Sequence, residues 1–150
     1  MKVAINGCFG GYDLSANAIV EIAKRKGIKL YMYTRDYNGI GDYYKEYKRI
    51  NHVDVCANVT YTTVDNGESV SEDDIHDIYN DWKANIDEDN ITGEWSRTDP
   101  DVIAVVEELG DEASDDCSAV YVVEIPDDVK FTIYSYDGRE TIEEVHRSWA

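Results

Sequence analysis

The sequence is poor in the residues that usually punctuate or staple a small fold. Its 150 residues include two prolines, two phenylalanines and three cysteines. Cys8, Cys56 and Cys117 are odd in number and far apart, and no CxxC or Cys/His ligand spacing links them. That excludes a disulfide framework and a zinc-ribbon type of metal site. No apolar run reaches 18 residues, and residues 1–15 lack the basic-then-apolar order of a secretory signal. The expectation is a cytoplasmic protein with reduced thiols and no membrane partner. Basic residues are scarce as well: 14 Lys and Arg stand against 32 Asp and Glu, for a net charge of −18.

What is present is unevenly distributed. Residues 1–53 hold nine Lys/Arg and five Asp/Glu, residues 54–128 hold 23 Asp/Glu and only Lys83 and Arg97, and residues 129–150 are nearly balanced. The chain therefore reads as one domain, 1–150, with a basic start, an acidic middle and a carboxy-terminal hairpin; 150 residues suffice for one core. An acidic middle repels phosphate, so direct duplex DNA binding is not expected. The same carboxylates suit either a solvated face or the surface of a nucleic-acid mimic that attracts a basic host protein. Twelve tyrosines offer apolar area with a polar tip, suited to half-buried positions and binding surfaces.

Periodicity predicts the elements. Lys2–Asn6 is a strand, and Ser15 caps a helix that ends before Gly27, with Ile19, Ile22 and Ala23 on one face. Ile28–Thr34 alternates as a strand. Residues 35–51 read as a long loop with a short helix over Tyr43–Ile50, and Val53–Val64 as one or two strands. Ser71 caps an amphipathic helix carrying Ile75, Ile78, Tyr79 and Trp82. Asp87–Thr98 is acidic and irregular. Asp99-Pro100 opens another helix, ended by Gly110. Ala119–Ile125 is a strand, and Asp137-Gly138 joins a hairpin of Phe131–Tyr136 and Glu140–Val145; a helical tail after Val145 has equally good spacing. The fold class is α+β: one mixed, mostly antiparallel sheet with about three helices packed mainly on one face.

Two blocks, CFGGYDLSANAIVEIAKRKG (Cys8–Gly27) and the series Arg97-Thr98-Asp99-Pro100, VVEELGDEAS, VVEIPDDV and YDGRETIEEVHRSW, together resemble a family of small uncharacterised proteins of tailed phages and prophages. The resemblance spans roughly residues 1–29 and 96–149. It implies a bacterial cytoplasm during infection and raises interference with host defence as a role; it implies no catalytic residue.

The candidate site is the turn after the first strand. Gly7, Gly10 and Gly11 permit close backbone approach, and the helix start at Ser15 adds the positive end of a dipole, an arrangement that favours an anion. The turn is neither a Walker A loop nor GxGxxG. One helix end contributes only about 0.3–1 kcal/mol at an exposed site, so partners are required. Arg139 and Arg147 supply guanidinium donors, and Tyr12 or Trp149 a ring to stack on a base. The expected ligand is a small phosphorylated, nucleotide-derived molecule, such as a host defence signal, bound without catalysis. Alternatives are an acidic nucleic-acid mimic and a small hydrolase using Cys8, whose loop setting favours a thiolate but which no histidine signature accompanies. No cofactor or metal is expected: His76 reads as a surface residue, and the run Asp87-Glu88-Asp89 fails the calcium-loop pattern. A C2 homodimer is the default oligomeric expectation.

Overall fold

The computed structural model describes residues 1–35, 46–53, 58–75, 94–146 and 149. Its elements are β1 (Lys2–Asn6), α1 (Ala16–Arg25), β2 (Tyr31–Arg35), β3 (Glu46–Ile50), β4 (Val59–Thr62), β5 (Ser69–Ser71), α2 (Pro100–Leu109), β6 (Val120–Glu124), β7 (Phe131–Tyr136) and β8 (Arg139–Glu144). Single 3₁₀ turns at Glu94–Thr98 and Gly110–Ala113 flank α2, and residues 72–75 are helical. The class is α+β, as expected, but the described strands do not form one sheet. They divide into three antiparallel sheets: β1–β6, β4-β2-β3-β5, and the β7–β8 hairpin.

Among the described residues the two long helices start where a side chain accepts their first amides and stop at a glycine. The Ser15 hydroxyl accepts the Ala18 amide at 3.1 Å, and Gly27 takes the left-handed conformation (φ 80°) beyond the last turn. Asp99 accepts the amides of Asp101 and Val102, with Pro100 in the first turn, where its missing N–H costs nothing. The helices pack on each other through Ala18, Ile19, Ile22 and Ala23 of α1 and Val102, Ile103, Val105 and Val106 of α2. Ala4 and Val120 close this core from the β1–β6 pair, and each large aliphatic residue there is worth about 1.5–3 kcal/mol of burial. Val3, Ala4, Ile5 and Asn6 are all buried, because α2, the Glu94–Thr98 turn and β8 all pack against β1.

The four-stranded sheet overturns the helix expected over Tyr43–Ile50, since Glu46–Ile50 is strand β3. Its tyrosines and cations alternate and pair across strands, with Tyr33 opposite Arg49 and Arg35 opposite Tyr47. Arg49 lies 4.8 Å from the Tyr31 ring centre and Arg35 lies 5.6 Å from that of Tyr47. Cross-strand contacts of this kind outweigh local preference. Tyr33, Val70 and Ile75 form a small core on that face, while Tyr61 on the other packs against the helical core. β2 begins at Tyr31, three residues later than expected, and β4 occupies Val59–Thr62. Ser71 caps as expected, its hydroxyl accepting the Asp74 amide at 3.2 Å. Ile78, Tyr79 and Trp82, together with Asp87–Asp89, lie outside the described residues. The hairpin turn follows the sequence closely: Asp137 (φ 50°) and Gly138 (φ 87°) give the turn type that matches strand twist.

Candidate functional site

The loop after β1 is organised by a residue that sequence reasoning did not single out. Asn6 is fully buried and uses both ends of its amide. Its Nδ2 donates to the Cys8 carbonyl at 2.8 Å and to the Gly138 carbonyl at 2.7 Å, while its Oδ1 accepts the Ala119 amide at 2.8 Å. One side chain thus ties the glycine loop, the hairpin turn and the entry to β6 together. Gly10 must be glycine, because a Cβ there would lie 1.5 Å from the Cys117 carbonyl oxygen. A Cβ on Gly138 would lie 2.5 Å from the Gly11 nitrogen. The close approach for which Gly10 is needed is therefore made by other segments of the backbone. Gly7 is likewise pressed by the Tyr121 ring and donates its amide to Ala119. Gly11 (φ 99°) has open space on its Cβ side.

Beneath the loop lies a buried ion pair. Arg97, on the Glu94–Thr98 turn, donates from both terminal nitrogens to the Glu140 carboxylate at 2.7 and 2.9 Å, and also to the Ala4 carbonyl at 3.1 Å. The second lobe of geometry at Glu140 is the Asn6 main-chain amide, 2.9 Å from Oε2. The Tyr12 ring centre lies 3.3 Å from the Arg97 guanidinium carbon, so Tyr12 faces inward and is not placed to stack on a base. Burial pushes its hydroxyl pKa to about 12, with Arg97 opposing the shift and Glu140 adding to it. That hydroxyl is buried and makes no hydrogen bond among the described residues. Arg97 was legible only as one of two cations in an otherwise acidic stretch of 75 residues.

The other expected site residues separate. Ser15 spends its hydroxyl on the helix, accepting from Ala18 and donating to the Glu112 carbonyl at 2.6 Å. Arg139 follows the hairpin turn, its guanidinium 6.0 Å from the Phe9 ring centre, so it does lie beside the glycine loop. Trp149 is 85% exposed, and Arg147 lies outside the described residues. The Cys8 thiol donates to the Cys117 carbonyl at 3.1 Å and contacts Asn6 Oδ1 at 3.4 Å.

The helix start does open onto a cavity, but not one suited to an anion. A cleft of about 380 Å³ is bounded by Asp13 to Asn17, by Asp111 and Glu112 after α2, by Ser114 to Asp116, and by His52, Val53, Val59 and Tyr61 on the sheet side. Five acidic residues therefore line the cleft at the start of α1. Asn17 clamps the far wall, donating to the Val53 carbonyl at 3.0 Å and accepting its amide at 3.1 Å. The Asp13 carboxyl is raised above its ordinary value by burial and then by the charge of Asp115, which also shares a hydrogen bond with it. Like charges held this close favour a proton or a cation between them. The described residues hold no group of three or more His, Cys, Asp or Glu side chains arranged for a metal ion, and no helix long and apolar enough to cross a membrane. No protein-family model matches the chain, and neither a curated protein nor a solved structure is significantly similar to it.

Proposed function

We propose that this chain is a non-enzymatic binding protein that receives a basic side chain of a partner protein in its acid-lined cleft. This is the acidic-mimic reading, whose charge the sequence puts mainly on the helix expected after Ser71 (Asp73, Asp74, Asp77 and Asp81) and its flanks, carried here by a different set of acidic residues. The observation that carries it is that Asp13, Asp111, Glu112, Asp115 and Asp116 all line one concave site, with Asp13 and Asp115 in electrostatic contact. Its volume of about 380 Å³ has room for an extended lysine or arginine, and Tyr61 and Val59 offer apolar wall to the methylene stem. A concave site with convergent polar groups and a perturbed carboxyl is where binding is expected first. In the bacterial cytoplasm that the resemblance implies, the partner class is a host protein with a basic nucleic-acid groove, whose occupation would interfere with defence.

The test uses an oligolysine peptide and its fully acetylated counterpart against the intact chain. Binding to the first alone, weakening with salt, is expected. Changing Asp111, Asp115 and Asp116 together to Asn should abolish it, whereas neutralising Asp73, Asp74 and Asp128 removes equal charge and should not. Equal losses from both triple variants would reduce the effect to net charge and remove the cleft from the account.

A phosphorylated, nucleotide-derived ligand retains one supporting arrangement. The Arg139 guanidinium stands beside Phe9, and Gly11 has open space next to it. Thermal stabilisation by a nucleotide, lost in Arg139→Ala, would support this reading; silence across a nucleotide panel would end it.

A further inference from the structure

We propose that the outward face of the β7–β8 hairpin is a self-complementary surface on which a second copy of this chain docks. The pairing register defines the face. Thr132 lies opposite Glu143, Tyr134 opposite Thr141, and Tyr136 opposite Arg139. These six share one side, because successive strand residues alternate. The other side turns Ile133, Ile142 and the buried Glu140 toward the body of the protein. Tyr134 is 54% exposed and Tyr136 69%, and the remaining four residues are exposed as well. A two-stranded ribbon covered on one face is a marginal structure, and exposed tyrosine is the residue type that interfaces favour.

Charge selects the occupant. In a chain of net charge −18, a second copy would be repelled from most surfaces. This face carries one positive and one negative residue, Arg139 at the turn end and Glu143 at the base end. A two-fold axis running across the strands through Tyr134 and Thr141 reverses the strand direction of the second face. It sets Arg139 against Glu143 of the partner subunit at both ends, Tyr134 against its own copy in the middle, and Tyr136 over Thr132 of the partner subunit. The sheet thus meets itself in the only orientation that pairs both charges. Such an isologous contact closes after two copies.

Sedimentation of the full chain across micromolar to submillimolar concentration tests it. A monomer–dimer equilibrium is expected. Arg139→Glu and Glu143→Arg should each weaken it by about tenfold or more, because each places like charges in contact. The double charge swap, R139E with E143R, should restore it. A chain that stays monomeric throughout overturns the proposal, as does a dimer indifferent to the single changes. So does one that the swap fails to rescue. All these side chains are exposed, and thermal melts identify any variant that fails to fold; Tyr134→Lys then serves as the second disrupting change.

Discussion

Arg97 and Glu140 are 43 residues apart in the chain and meet through two parallel hydrogen bonds of 2.7 and 2.9 Å, each side chain about nine-tenths buried. The pair joins the turn before α2 to the second strand of the hairpin, directly under the loop that follows β1. Glu140 also receives the Asn6 amide, and Arg97 the Tyr12 ring, so four segments are fastened by one ion pair. What looks from the sequence like a loop awaiting a ligand is a loop held by its own protein.

Removing both partners should cost less than the two single removals added together. Arg97→Met leaves the Glu140 carboxylate buried without its cation, and Glu140→Leu does the converse; each should destabilise by about 3–5 kcal/mol. The double variant should lose clearly less than the two single losses added together, since the uncompensated charge is gone. Urea unfolding of the three variants measures this, and strict additivity would show that the two groups act independently.

Gly10→Ala should destabilise by more than about 2 kcal/mol, because its Cβ would meet a main-chain carbonyl that cannot rotate away. Gly67→Ala is the control. Gly67 takes a positive φ (84°), which Gly10 does not, and has nothing within 4 Å of an added Cβ, so only a conformational cost of about 1 kcal/mol is expected there. If the two variants unfold at the same urea concentration, the Cys117 contact is not a constraint.

Local signals made part of this fold legible. Asp137-Gly138 specified the hairpin because both residues must adopt positive φ, and Ser15 and Asp99 marked helix starts because their side chains accept orphaned amides. Strand β3 was not legible. Its Tyr47 and Arg49 gain their strand character from partners on β2, and no window of the sequence contains both strands. The same holds for the site. Asn6, Arg97 and Glu140 are unremarkable singly, and their chemistry appears only when distant segments converge. The carboxylates of the cleft come from the loop before α1 and the segment after α2, so the acidic middle concealed a localised feature within an overall excess. The anion expected at the α1 start follows from that helix end by itself; the acidic residues that line the neighbouring cleft come from other segments and oppose it.

Lys26 at the end of α1 bonds Asp99 at the start of α2 at 2.7 Å and Asp101 at 3.3 Å, joining opposite ends of two helix dipoles. Burial alone would raise the Asp99 carboxyl, but Lys26 and the amides of Asp101 and Val102 outweigh it and hold the carboxyl below its ordinary value. Burial would likewise lower Lys26, and its two carboxylates outweigh that and raise it. The stabilisation is thus present between the two titrations. It fades as pH falls through the depressed Asp99 value, below 3.8, and as pH rises through the Lys26 value, above 10.5. Lys26→Met should cost about 1 kcal/mol at neutral pH, and the difference from the parent chain should close at both extremes. A difference independent of pH would assign the loss to packing.

Asp13 shifts the opposite way, and that gives the sharpest test of the cleft. Burial and Asp115 raise its carboxyl above the ordinary value of 3.8, so the folded chain holds this proton more tightly than the unfolded chain does. Folding is then penalised once pH rises through 3.8, and the penalty is complete above the raised value. Asp13→Asn removes the charge while keeping an oxygen able to accept the Leu14 amide that the carboxyl now engages. The variant should melt above the parent chain at neutral pH and together with it well below pH 3.8. Asp115→Asn should move stability in the same direction, because it removes the like charge. If the cleft takes a basic side chain, the repulsion that weakens the fold is what a ligand ammonium relieves. Asp13→Asn should therefore be the more stable protein and the poorer binder of oligolysine. A variant that gains stability without losing affinity would leave the strained carboxylates with no binding role, and one that loses stability would refute the repulsion itself.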